Sequence, residues 1–474
     1  MISLHSLALP TAILIVVAIT SSLRRRRTLP SPPNPPCIPF LGNYLSLPVR
    51  QPWTTYAEWS KTLHSDVVSI WVFGRLSIVV NTKEAAKELL ERRSAKYSDR
   101  PFPIMTEMMG WAWATSLMPY TNAWRVRRRI LHKTFHAAAA LTYRPHQRAE
   151  VHKMLKRVYG DPQHFAYHVR SMAASIAMTI AYGVMEPHES DKILDIAETS
   201  VTMFSNAVFP GAAVVNALPF LRHLPAWFPG MGFKPYAQKC SELAMDMRDL
   251  PWEFFKKGLT DDASGFSMAS QLSSKVEKHH SKEDREQAMK DACAVTYAAG
   301  ADTTVSVLST SILALLLHPG VQYRAQQEIE GVVGRQRLPT FEDRDSLPYV
   351  EAVYREILRW KPVTPLSVSR SVLEDDVYEG KFIPKGTEVF PNVWAMLHNP
   401  TEYPDPEAFS PSASYNPMAK DEKGEDIIVN PEYTDGVISH PLPFRCGFTP
   451  RDEQAEILLS RLGEADYEGL LLLT

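Results

Sequence analysis

The stretch with the most chemistry in it is Ala299-Gly-Ala-Asp-Thr-Thr304, which lies inside a long apolar run. A carboxylate in apolar surroundings is costly unless something satisfies it, so Asp302 needs a partner. Gly300 inside a helix costs about 1 kcal/mol relative to Ala and makes room beside the axis. Thr303 can bond back to a preceding carbonyl and bend the helix locally. Together these residues would open a groove lined by one acid and one hydroxyl, which suits oxygen chemistry with a short proton relay. The plainer reading is a small-residue helix contact with Asp302 turned to solvent.

Three further pairings stand out. Glu356 and Arg359 are three apart on a helix and share a face, as do many surface ion pairs. Trp124 and Arg128 are four apart, so an indole N–H and a guanidinium could reach one anion. Around them Arg125, Arg129 and Lys133 read as a solvated basic face able to dock a partner. Arg370, after Pro365-Leu-Ser-Val-Ser369, would leave a short strand and could supply a second cation, or be an ordinary surface residue.

The elements that must position these residues are mostly helical. Periodicity predicts helices over 122–142, 149–159, 166–182, 188–206, 236–257, 283–317, 321–333 and 346–360. Pro319 and Gly320 separate the sixth from the seventh. Val67–Val72 and Ser77–Val80 read as strands joined at Gly74, and Lys385-Gly386 as a hairpin turn. From Asn399 onward the chain reads as Pro-rich loop. The expected fold class is mainly α (α+β): one large domain with a minor β-sheet portion.

Ahead of it, residues 4–23 are apolar and long enough to cross a bilayer as a helix. Arg24 to Arg27 follow, which predicts a single-pass anchor with the rest of the chain in the cytosol. Residues 24–43 form a basic, Pro-rich hinge. Lys plus Arg total 51 against 53 Asp plus Glu, a balance that gives no bulk attraction to nucleic acid. The four cysteines, Cys37, Cys240, Cys293 and Cys446, make neither a disulfide framework nor a zinc spacing.

In this order and spacing the constellations resemble a cytochrome P-450, most nearly a fungal microsomal one. The Pro-rich hinge, Trp124-x-x-x-Arg128, Ala299 to Thr304, Glu356-x-x-Arg359 and Asn392 to Pro400 carry the resemblance, which spans residues 30–444. It implies a heme b cofactor, with Trp124 and Arg128 on one propionate and Arg370 on the other. Gly300 and Phe444 would also border the cofactor. Asp302 and Thr303 would relay protons to bound dioxygen, and Glu356 with Arg359 would form a structural ion pair behind the heme. It further implies an apolar substrate above the heme against the Met105–Tyr120 loop, a lid over 200–229, electrons from an NADPH-cytochrome reductase, and the endoplasmic reticulum membrane.

One departure is large. The family's ligand motif is Phe-x-x-Gly-x-Arg-x-Cys-x-Gly, whose thiolate binds the iron. Aligning Phe444 and Gly447 puts the Cys position on Arg451, which cannot ligate usefully. Cys446 is the nearby thiol, five residues early. The reading therefore divides the body into an incomplete domain, 44–444, and an aberrant tail, 445–474. A mispredicted exon, a frameshift or a truncated pseudogene product would explain the tail, with the motif expected soon after Phe444 in another frame. The alternative to an active oxygenase is an inactive membrane-bound fragment of the same fold.

Overall fold

The computed structural model describes residues 29–183, 187–208, 214–258, 267–273, 282–411 and 432–462. The expected anchor, residues 4–23, lies outside them, as does Phe209 of the expected lid. The chain divides into two compact units: residues 1–101, 210–223 and 366–396 in one, the rest in the other.

The smaller unit is built on strands. Helix α1 (Pro52–Thr62) precedes the hairpin of β1 (Val67–Val72) and β2 (Arg75–Val80). Gly74 turns the hairpin with φ +80°, a conformation only glycine adopts freely. Strands β3 (Arg370–Ser371), β4 (Asp376–Tyr378), β5 (Lys381–Ile383) and β6 (Glu388–Pro391) follow. The main sheet has the order β1-β2-β6-β3, with β6 parallel to β2 and antiparallel to β3. Its inner face is sealed by Val67, Ile78, Val80, Leu89, Ile383 and Val389. Lys385-Gly386 does turn the chain, but it does not close a hairpin. It carries the chain from β5, which pairs with β4, to β6 of the other sheet. The hairpin turn is Glu379-Gly380, both at positive φ.

The larger unit is helical: α2 (Asn122–Phe135), α3 (Arg144–Gly160), α4 (Phe165–Tyr182), α5 (Pro187–Val208), α6 (Phe233–Gly258), α7 (Lys282–Leu317), α8 (Pro319–Val333), α9 (Pro348–Trp360) and α10 (Glu453–Arg461). Helix α7 is the axis, packed by α2, α4, α6 and α9. Among the described residues it alone is long and apolar enough to cross a membrane, and its position inside the bundle accounts for that composition. Pro319 stands at the first position of α8, where a missing N–H is harmless. Two of the expected boundaries shift by more than three residues. Helix α2 ends at Phe135 because His136 turns extended, and α3 begins at Arg144 rather than 149. The tail, expected to be irregular, contains α10, capped by Asp452, which accepts from the Ala455 N–H at 2.9 Å.

Candidate functional site

The groove residues sit midway along α7. Thr303 Oγ1 donates to the Ala299 carbonyl at 2.8 Å and Thr304 Oγ1 to that of Gly300 at 2.7 Å. Both hydroxyls are thus tied to the helix that carries them. Gly300 has a separate role: a Cβ there would come within 3.3 Å of the Ala177 Cβ. Its missing side chain lets α7 lie directly on α4. Ala299 is exposed and Thr303 half-buried, one turn apart, so they form an open stripe on the helix.

Asp302 has found its partner. Its Oδ1 lies 3.2 Å from Nε2 of His440, and each side chain is about a quarter exposed. His440 belongs to a tight turn of the tail, in which Thr434 N donates to the His440 carbonyl at 2.9 Å and Leu442 N to that of Glu432 at 2.8 Å. The same turn meets α7 twice more. Ser306 Oγ donates to the Ser439 carbonyl at 2.5 Å, and Tyr433 donates to Thr310 Oγ1 at 3.3 Å. Positions 302, 306 and 310 lie four apart on one face. Neither Ser306 nor His440 was singled out in the sequence. The available signal was the need of an acid in an apolar helix for a cation.

Asp302 also lines a small cavity with Arg170, Leu194, Glu198, Ala298 and Val305. Arg170 and Glu198 pair across it at 3.1 Å. Its volume is about 30 Å³. That is room for a water-sized molecule, well short of the ~300–1,000 Å³ of ligand sites.

On α2, Trp124 is half-buried with its ring 5.1 Å from that of Tyr120, and Arg128 is exposed. The guanidinium that reaches inward from this helix is Arg127, which holds Asp291 of α7 at 2.6 Å. Burial raises the Asp291 carboxyl above its usual range even with Arg127 beside it. Arg370 lies in the smaller unit, in β3 opposite Val389. Nearby, Arg100 donates to the carbonyls of Val368 and Ser369, both at 2.6 Å.

Glu356 and Arg359 form a two-pronged pair at 2.7 and 2.8 Å, with Arg359 only 7% exposed. The remaining guanidinium donors reach the carbonyls of Leu397, Pro406 and Ala408. Glu356 in turn accepts from the Ser410 N–H at 2.8 Å. The pair clamps the loop after residue 396.

In the loop expected to face substrate, Trp111 and Trp113 stack at 5.4 Å, and Phe204 of α5 lies 4.9 Å from Trp111. Of the other lid aromatics, Phe220 and Trp227 are largely exposed.

The tail cysteine does not fit the role of an iron ligand. Phe444 and Phe448 both pack on Phe165, with ring centroids 5.4 Å away. Phe165 stands twelve residues before Ala177 on α4, so it lies roughly 18 Å along that helix from the Gly300 contact. Cys446, between the two phenylalanines, is displaced with them. Burial pushes its thiol up to about 11, so it stays protonated. Arg451 pairs with Glu330 of α8 at 2.7 Å. Cys293 and Cys240 are fully buried with raised thiols, and Cys37 is exposed in the smaller unit. Helix α7 offers an open stripe at Ala299 and Thr303 on which a planar cofactor could lie. Among the described residues, no thiolate stands at that stripe.

Residues 32–420 match the family model described as Cytochrome P450. The chain is 32% identical over 489 aligned positions to Cytochrome P450 monooxygenase 98 of Postia placenta, covering 93% of this chain and 94% of that one. It is 36% identical over 410 positions to Cytochrome P450 monooxygenase COX2 of Coprinopsis cinerea, covering 86% and 77%. A zebrafish cytochrome P450 solved with abiraterone superimposes with TM-score 0.59 at 21% identity, over 76% of this chain and 82% of that one.

Proposed function

The chain belongs to the cytochrome P450 family of heme-dependent monooxygenases, and we propose that its architecture serves insertion of one oxygen atom from O2 into an apolar small molecule. Heme, when bound by a thiolate, supplies the oxygen-activating chemistry of this family. The observation that carries the reading is the Asp302–Thr303 pair beside the open stripe of α7. Asp302 is a carboxylate held within reach of a second titratable group, and Thr303 is a hydroxyl whose proton can be released from Ala299. That is the equipment of a proton relay, with His440 holding the acid in place.

Electrons would come from a partner NADPH-cytochrome reductase. The face of α2 bearing Arg125 and Arg129 supports this, since an acidic partner would be steered to it. The expected anchor over residues 4–23 would hold the body at the cytosolic face of the endoplasmic reticulum membrane. Incubation with reductase, NADPH and ¹⁸O2 over a panel of apolar compounds tests the reaction. Products carrying one heavy oxygen are expected of a chain that holds thiolate-bound heme. Products with none would end the monooxygenase reading.

A second reading is favoured by the position of Cys446. With no thiol at the groove, the chain as it stands is a catalytically inactive form of the fold. The reduced carbon monoxide difference spectrum separates the two. A thiolate-type Soret band supports the oxygenase, and its absence supports the inert scaffold.

A further inference from the structure

We infer that this chain lacks an internal block of about 48 residues between Ser410 and Glu432, and that the missing block holds its heme ligand. The inference rests on the family assignment and explains the misfit of Cys446.

The lengths of the two matches carry it. The match to monooxygenase 98 spans 489 positions but uses 93% of 474 residues, about 441, so about 48 positions are filled by the relative alone. The match to COX2 spans 410 positions and uses 86%, about 408, which leaves about two. Any run of 408 residues in this chain must include 67–408, so the surplus lies outside that span. Any run of about 441 must include 34–441, so the longer match passes through the His440 turn. The family match stops at residue 420 although 54 of the 474 residues remain, which puts the break on the far side of 408.

The structure narrows it further. The turn from Glu432 to Leu442 is closed by its own hydrogen bonds and seated on α7 at three points, so it is one unbroken piece. The loop up to Ser410 is likewise held whole by Glu356 and Arg359. The break therefore falls between these two intact pieces.

Two consequences follow. The tail is the relatives' own closing stretch, correctly folded onto α7, α3 and α8, and not a scrambled sequence. Phe444 and Cys446 were therefore never in register with the ligand motif, and the packing of Phe444 and Phe448 on Phe165 is their proper place. The restored ligand segment belongs before Glu432, not after Phe444.

The test compares the full chain with a version carrying the block of monooxygenase 98 inserted ahead of Glu432. Both are expressed with heme supplied, and heme content, circular dichroism and the reduced carbon monoxide spectrum are recorded. The expected result is no thiolate-type band from the parent. The repaired chain gains that band with one heme per chain, and loses it when the cysteine of the insert is changed to serine. A thiolate-type band from the parent overturns the inference, whether or not the repaired chain is soluble. So does a repaired chain that keeps the parent's helical signal but takes up no heme. A repaired chain that holds thiolate-bound heme yet oxidises nothing would uphold the omission and remove only the monooxygenase reading.

Discussion

Nε2 of His440 lies 3.2 Å from Oδ1 of Asp302, so a half-buried acid in an apolar helix is answered from the tail of the chain. Both groups are about a quarter exposed, which limits the pair to about 0.2–1 kcal/mol. His440→Ala should lower the thermal midpoint by no more than about 2 °C. A fall of several times that size in a melting experiment would mean the pair anchors the tail by itself.

Arg359 is a different case. It is 7% exposed and satisfies Glu356 and three carbonyls at once. Arg359→Ala leaves a buried carboxylate without its charge partner, at a cost of about 3–5 kcal/mol. Lys at this position cannot reproduce the forked geometry and should recover little. Hydrogen exchange across residues 397–410 reads the outcome. Unchanged protection there would rule out the clamp.

Gly300 and Ala177 are coupled by contact. Gly300→Val should destabilise by about 1–3 kcal/mol, because the helices must separate. Adding Ala177→Gly should restore a large part of the loss. A double-mutant cycle on denaturation midpoints gives the interaction, and strict additivity would refute direct contact.

Glu388, in β6, is pushed up to about 7, chiefly by burial. Its unfolded value is near the ordinary ~4.3, so between that pH and 7 the folded state binds the extra proton. Stability from this group is therefore lost as pH rises through that window and stays lost above it. Glu388→Gln should raise the midpoint of the smaller unit at pH 8 and leave it nearly unchanged at pH 4. Equal shifts at both values would show that ionisation is not the cause.

With its thiol pushed up to about 11, Cys446 should alkylate slowly at neutral pH, and faster as pH rises toward that value. Exposed Cys37 should react first. Mass mapping after brief iodoacetamide treatment checks the order.

Helices α2 to α9 were legible in the sequence from their long apolar-patterned runs, whereas the short α1 and α10 were not. Strands β1 and β2 were legible from their β-branched runs. Lys385-Gly386 misled because a turn signal says that the chain reverses, not which strand it will join. Glu356 and Arg359 could be paired from their spacing, but their carbonyl acceptors near residue 400 could not be seen. The inward reach of Arg127 to Asp291 could not be seen, because a row of three arginines does not say which one faces a distant acid. His440 was invisible because its partner is far away in sequence. For Phe444 the sequence offers only the Phe-x-x-Gly spacing, while its packing on Phe165 depends on the fold.

The rungs at 302, 306 and 310 bear on how the tail can be seated. A slip of one residue along α7 would swing each partner by roughly 100° around the helix and break all three at once. The next matching position is a whole turn away, about 5.4 Å along the axis. The turn at Glu432–Leu442 can therefore be fully docked or undocked, with no half-shifted state between. Residues added upstream would change the length of the tether and leave the docking site where it is.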